Sequence, residues 1–343
     1  MSKPLVLVIG GTGGQGVPIV QELARDGFNV RVLTRNQESD NSKKLATLQN
    51  VSLIAGAPDD DSALKKAFKD VDYAFVNLNS WALGIKNEIF WGIRIFEIAV
   101  QSGVEHYIWS SLDNYFLETR YDDALRVGHY YGKGHVQQWM SALPHSPMRW
   151  SVITTSPYIE QLWNLQLPTK LESGEYEFKL PLDDGAIPYT CLDDMGYYGR
   201  WILENPSKSA GLNLKVAVEH VTLPQLASTF TEVTGNPAKA TNITIDEWFD
   251  VIGGGGARDH LISSTTPGSK GDDATLLTVY QNFSRWWGLY QRSGGNKGLL
   301  RRDYALLDEI HPQRTKSLKQ WMERVGYDGQ TRQNPVITSA FNL

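Results

Sequence analysis

One cysteine, Cys191, stands in a chain of 343 residues. It permits no intrachain disulfide, points to a reducing compartment, and reads as a small buried core residue. The seven histidines are scattered, and His129 and His135 do not share a helical face. With a single cysteine beside them, a structural zinc site is a poor reading, and no metal is expected. Basic residues are not in excess: 33 Lys and Arg stand against 38 Asp and Glu, a net charge of −5. That balance argues against a direct nucleic-acid partner. No apolar run approaches the ~20 residues that cross a bilayer, so no membrane partner is expected. The first apolar run, Leu5–Ile9, leads into glycines instead of a signal-peptide core. A soluble protein of the cytoplasm is the expectation, with the nucleus also open. There are no repeats, no low-complexity tract and no Gly-x-Ser-x-Gly elbow for acyl transfer. Nothing separates a monomer from a homodimer.

Glycine is not scarce where it matters. Val6-Leu7-Val8-Ile9 runs into Gly10-Gly11-Thr12-Gly13-Gly14-Gln15-Gly16, and Val17–Ala24 follows with helical spacing. Strand, glycine turn and helix in this order form a dinucleotide-binding start. Gly10 suits the tight turn, Gly13 the close approach of backbone to phosphate, and Gly16 the packing of helix on strand. The first helical N–H groups then face an anion, aided by the helix dipole.

Strand and helix patterns alternate through the first half. Strands are expected over 5–9, 29–34, 51–54, 73–78, 106–110 and 148–154. Helices are expected over 17–26, 41–48 (Ser42 a possible cap), 61–68 (capped by Asp60 or Asp61), 87–102 and 132–143. Apolar strands joined by helices predict a parallel sheet covered on both faces. The fold class is therefore α/β: a Rossmann-like doubly wound sheet with a smaller C-terminal α+β lobe. The expected division is 1–156 for the cofactor domain, 157–330 for the lobe and 331–343 for a tail, with elements near 187–235 as candidates to extend the main sheet. In the lobe, 174–180 alternates like an edge or hairpin strand, and 222–234 reads as a helix ended by Gly235. Gly253–Gly256 is a loop or hinge, and 263–273 is rich in turn formers. Residues 274–292 read as a helix bearing Phe283, Trp286, Trp287 and Tyr290. Eleven tryptophans supply core and pocket walls.

The second strand ends Leu33-Thr34-Arg35-Asn36. An acid here would bind a ribose 2′-hydroxyl; Arg35 instead offers charge and a planar fork to a 2′-phosphate. Lys43 or Lys44 could add a second charge. NADP(H) is favoured over NAD(H).

These residues resemble the NmrA-like family of atypical short-chain dehydrogenase/reductases. The resemblance is carried by 8–16, 30–36, Phe75-Val76-Asn77-Leu78-Asn79-Ser80-Trp81, His106–Asn114, Gly132-Lys133-Gly134-His135-Val136 and Tyr158–Leu162. It implies an NADP(H)-binding Rossmann domain with Thr12, Gly14 and Gln15 along the pyrophosphate and Arg35 at the 2′-phosphate. It further implies Asn79 near a ribose, Lys133 near the nicotinamide ribose, and Thr155, Ser156, Pro157 and Tyr158 beside the nicotinamide. One departure is Gly56-Ala57, where family-like sequences often carry Gly-Asp near the adenine.

Typical short-chain dehydrogenases use Tyr-x-x-x-Lys. Lys133 is present, but His129 replaces the tyrosine, and Tyr130 and Tyr131 are out of register. Three readings stay open: His129 as proton donor with Lys133 or Tyr131 assisting, Lys133 itself as acid, or cofactor binding without hydride chemistry. The expected function is an NADP(H)-dependent oxidoreductase acting on a small aromatic or apolar molecule, with 157–180 and 250–300 forming a lid. The alternative is a non-catalytic redox sensor that regulates a partner protein.

Overall fold

The computed structural model describes residues 3–262 and 276–332. The turn-rich stretch 263–273, the first residues of the helix expected from 274, and nearly all of the expected tail lie outside the described residues. In chain order the elements are β1 (Leu5–Ile9), α1 (Gly16–Arg25), β2 (Asn29–Thr34), α2 (Asp40–Ala46), β3 (Val51–Ala55), α3 (Asp61–Ala67), β4 (Tyr73–Val76), α4 (Ser80–Gln101), β5 (His106–Leu112), α5 (Gly128–Ser141) and β6 (Arg149–Thr155). Then follow β7 (Thr169–Lys170), β8 (Tyr176–Leu180), β9 (Ala186–Pro188), α6 (Met195–Glu204), α7 (Pro206–Ser209), β10 (Asn213–Lys215), β11 (His220–Thr222), α8 (Leu223–Thr234), β12 (Ala238–Asn242), α9 (Ile245–Val251), α10 (Val279–Gln291), α11 (Tyr304–Ile310) and α12 (Leu318–Val325).

The chain divides into two compact units whose segments alternate along it. The first runs through Leu112 and adds His129–Thr155 and Leu192–Lys215. It contains a seven-stranded sheet in the order β10-β6-β5-β4-β1-β2-β3. Every pairing in it is parallel. Val6, Leu7, Val8, Ala74, Phe75 and Val76 are fully buried, as strands covered on both faces must be. The strand order reverses between β1 and β4, the switch point of a doubly wound fold.

Local chemistry shifts several expected boundaries. Ser39, not Ser42, caps α2, accepting from Ser42 N. Of the two expected caps, Asp60 caps α3, and Asp61, in the first turn, pairs with Lys65 (2.6 Å) and Arg94 (2.5 Å). The expected helix 87–102 starts earlier, at Ser80, because Asn79 caps Trp81 N and Ala82 N, and Gly84 (φ 72°) then interrupts the first turn. The helix expected from Gly132 begins at Gly128. His129 and Lys133 therefore lie one turn apart on α5, on one side of it.

The second unit comprises Asp113–Gly128, Ser156–Cys191 and the chain from Val216 onward. Strand β8 was expected as an edge or hairpin strand; it forms an antiparallel hairpin with β7 and, paired in parallel with β12 on its other side, is central in its sheet and not at an edge. Its polar face is not left to water, since Glu177 accepts from Thr241 (2.6 Å) and pairs with Lys179 (3.0 Å) and Lys239 (3.3 Å). On α10, Phe283, Trp286, Trp287 and Tyr290 are buried with Trp248 and Phe249 of α9; Trp248 and Trp287 meet edge to face at 5.5 Å. A wholly buried Arg302–Asp113 pair, with donor–acceptor distances of 2.5 and 3.2 Å, ties residue 113 into this unit.

Candidate functional site

The glycine turn closes over the switch point. Gly10 has φ +80°, and a Cβ there would lie 2.4 Å from Asn77 O. At Gly16 a Cβ would lie 2.1 Å from Gly10 O and 2.4 Å from Gly11 Cα. Any side chain at either position would push the turn off β4 or off α1. Gly13 N donates to Gly10 O (3.1 Å), and Val17 N to Gly13 O (2.9 Å). Helix α1 has no side-chain cap and no acid in its first turn, the condition in which helical N–H groups can serve an anion. Thr12 is half-buried; its carbonyl accepts from Asn41 Nδ2 (2.8 Å), so α2 holds the turn from the far side. Asn41 was not singled out from the sequence, where nothing distinguishes it from a first-turn helix residue.

Gln15 was expected along the pyrophosphate. Its side chain turns inward: Ser110 Oγ donates to Gln15 Oε1 (2.6 Å), and Gln15 Nε2 donates to Thr155 Oγ1 (3.1 Å). The glycine turn is thereby tied to the carboxyl ends of β5 and β6, and Ser110 and Thr155 are brought into the site as its inner wall.

Lys133 is buried beneath the end of β4. Its Nζ donates to Leu78 O (2.7 Å) and Asn77 Oδ1 (2.9 Å), and lies 3.3 Å from Glu88 Oε1. Its three N–H groups therefore have three protein acceptors. Burial pushes the Lys133 ammonium down and the Glu88 carboxyl up, while each charge opposes the other's shift. Ser80 Oγ donates to Glu88 Oε1 (2.8 Å). Glu88 and Asn77 are functional candidates that sequence reasoning missed. No local signal marks Glu88, since the stretch Ile85–Ile98 also carries Lys86, Asn87, Arg94 and Glu97.

His129 is half-buried and stacks on Trp81 at 4.6 Å. Tyr131 stands against His135 at 4.0 Å. Burial pushes the His135 imidazole down. Asn79 uses its carboxamide oxygen to cap α4. Arg35 is exposed at the end of β2, and no carboxylate pairs with it among the described residues. Lys43 already faces Glu38 (3.2 Å). After β3, Gly56 N donates to Thr34 O (3.0 Å), so the position of the missing acid, Ala57, follows directly on a backbone-anchored glycine. Pro157 and Tyr158 belong to the second unit, where Thr190 N donates to Pro157 O (2.9 Å) and Ile159 N to Thr190 O (2.9 Å).

A doubly wound sheet with an uncapped glycine turn at its switch point defines a nucleotide-binding α/β protein. The NmrA-like family profile matches residues 2–266, and the chain belongs to that family. The NmrA-like family domain-containing oxidoreductase lnaB of Aspergillus flavus is 27% identical over 254 residues, 69% of this chain and 75% of its own. Among solved structures, NmrA, a negative transcriptional regulator in complex with NADP, is 18% identical with a TM-score of 0.61, over 96% of this chain and 99% of its own. It has also been crystallised with NAD. The NADPH-dependent quinone oxidoreductase of Escherichia coli in complex with NADPH is 18% identical with a TM-score of 0.65, over 94% of this chain and 99% of its own. The shared fold is what these structural likenesses show. Among the described residues no helix is long and apolar enough to cross a membrane.

Proposed function

We propose that the chain binds NADP(H) and transfers hydride between NADPH and a small aromatic or apolar molecule. The observation that carries this reading is the glycine turn at the β1–β4 switch point, with Lys133 fixed at the end of β4 beside it. Thr12, Gly13, Gly14 and the first N–H groups of α1 would hold the pyrophosphate. Arg35 would hold the 2′-phosphate, and Asn79 and Lys133 would border the ribose of the nicotinamide. The cofactor, when bound, supplies the hydride. Thr155, held by Gln15, would form the wall beside the nicotinamide.

The proton is the open half of the reaction. Lys133 is fully hydrogen-bonded within the protein, and His129 stands where a tyrosine would serve. A conjugated, electron-poor acceptor such as a quinone suits these residues, since its reduced form can take protons from water. A non-catalytic sensor that reports the cofactor's state to a partner protein is the second reading. The replacement of the tyrosine by His129 favours it.

Titration of the protein with NADPH and NADH tests cofactor choice. NADPH is expected to bind more tightly, and Arg35→Ala to weaken NADPH by about 10- to 100-fold, the loss of a charged hydrogen-bond set, with NADH little changed. Equal affinities in the unmodified protein would remove the role of Arg35. NADPH oxidation followed at 340 nm over a panel of quinones separates the two readings. Turnover that is lost in Lys133→Met supports the enzyme. Tight binding with no oxidation by any acceptor supports the sensor.

A further inference from the structure

Glu88 lies on α4, and the glycine motif makes no use of it. Its side chain is wholly buried, and its immediate neighbours are the Lys133 ammonium, the Ser80 hydroxyl and the backbone of α5. A Cβ on Gly132 would lie 2.6 Å from Glu88 Oε2. Helix α5 thus lacks a side chain where the carboxylate must fit, immediately before the lysine that the carboxylate faces. Lys133 in turn grips Asn77 by its side chain and Leu78 by its carbonyl. Asn77 N donates to Ile9 O (3.1 Å), and Asn77 O occupies the space above Gly10 that a Cβ would need. A continuous set of contacts therefore runs from Glu88 through Lys133 and Asn77 to the first glycine of the turn.

We propose that Glu88 is a positioning residue of the cofactor site: its carboxylate holds the Lys133 ammonium against the end of β4 and so fixes the floor on which the glycine turn closes. This rests on the reading of the first unit as an NADP(H) site. Stability alone does not account for the pair. Two buried charges lose their hydration, and apolar side chains of similar volume often stabilise as well or better. What the pair provides is one defined place for Lys133, with the ammonium hydrogens aimed at three fixed oxygens. With Gln in place of Glu88, the lysine keeps Asn77 and Leu78 but loses the counter-charge that keeps it buried.

The test uses the full chain and the variants E88Q, K133M, E88Q/K133M and G132A. The first readout needs no cofactor: a slowly exchanging lysine ¹⁵Nζ ammonium signal, assigned by its absence in K133M. It is expected in the unmodified protein and shifted or lost in E88Q. The second is NADPH affinity. E88Q is expected to weaken it at least fivefold with unchanged near-ultraviolet circular dichroism, and to have no further effect in the K133M background. G132A, which crowds the carboxylate from the other helix, is expected to weaken binding similarly, and it serves if E88Q fails to fold. A lysine signal indifferent to E88Q overturns the proposal. So does NADPH affinity within twofold of the unmodified protein, or an E88Q effect that is the same with and without Lys133. If the unmodified protein binds no NADPH, the cofactor reading itself fails, and the lysine signal still reports whether Glu88 holds Lys133.

Discussion

At the scale of single residues, the site is governed by where side chains cannot go. Gly16→Ala would set a methyl group against Gly10 O and Gly11 Cα, both backbone, so no rotamer can relieve it. The expected cost is about 1–3 kcal/mol of stability together with loss of the thermal stabilisation that NADPH confers; scanning calorimetry with and without cofactor measures both. An alanine variant with an unchanged ligand-induced rise in Tm would mean that the turn is not the binding element. Gly10 and Gly16 were legible in the sequence because their spacing encodes backbone geometry. Gln15 was legible only as a member of the motif. Its inward turn depends on Ser110 and Thr155, which lie 95 and 140 residues away and have no local signature. Glu88 and Gly132 pose the same difficulty. Each is ordinary in its own helix, and their meaning arises only where α4 and α5 meet.

At the scale of elements, β5 carries a buried histidine that makes the fold sensitive to acid. His106 is wholly buried. Ser151 Oγ donates to Ser209 O (2.6 Å) and so accepts from His106 Nε2–H (2.7 Å), which leaves Nδ1 as the unprotonated nitrogen. Burial, with the charge of Arg149, lowers the His106 imidazole to about 4. The unfolded chain takes up this proton below about 6.5, whereas the folded chain does not until about 4. The stabilisation is therefore complete above pH 6.5 and lost as pH falls from 6.5 to 4, at about 1.4 kcal/mol per pH unit. His106→Gln is expected to flatten the dependence of Tm on pH across that window; curves of equal slope would show that His106 is not responsible. The strand itself was readable as an apolar run. Helix starts were less so: the α4 boundary depends on Asn79 acting as a cap, and that of α5 on a glycine, a residue that more often closes helices than opens them.

At the scale of the whole chain, order in sequence and order in space part company. Read in order, residues 1–156 suggest the cofactor domain, with elements near 187–235 only as candidates to extend its sheet. In the structure, the first unit also needs Leu192–Lys215. Within that segment, β10 pairs in parallel with β6, Asn213 to Lys215 against Val152 to Thr154. Helix α6 covers α1 so closely that a Cβ on Gly196 would lie 2.4 Å from Pro18 O. Arg200 Nε also donates to Glu22 Oε1 (3.0 Å). The sequence shows α6 as an amphipathic helix and β10 as a short strand, but neither carries a mark of the sheet it joins. A chain ending at Thr155 would therefore expose the edge of β6 and the outer face of α1, where Ile19, fully buried in the intact protein, lies against Gly199 of α6. Unpaired strand edges and uncovered apolar helix faces promote association over cooperative folding. The expected result is a 1–155 fragment that aggregates or lacks near-ultraviolet circular dichroism and binds no NADPH, although it holds the whole glycine turn, Arg35 and Lys133. Adding a separate 192–215 peptide should restore part of the signal in a concentration-dependent way, since the segment binds only the folded form. A fragment that folds and binds cofactor alone would show that α6 and β10 are accessories of the nucleotide site, and that the first six strands suffice to close it.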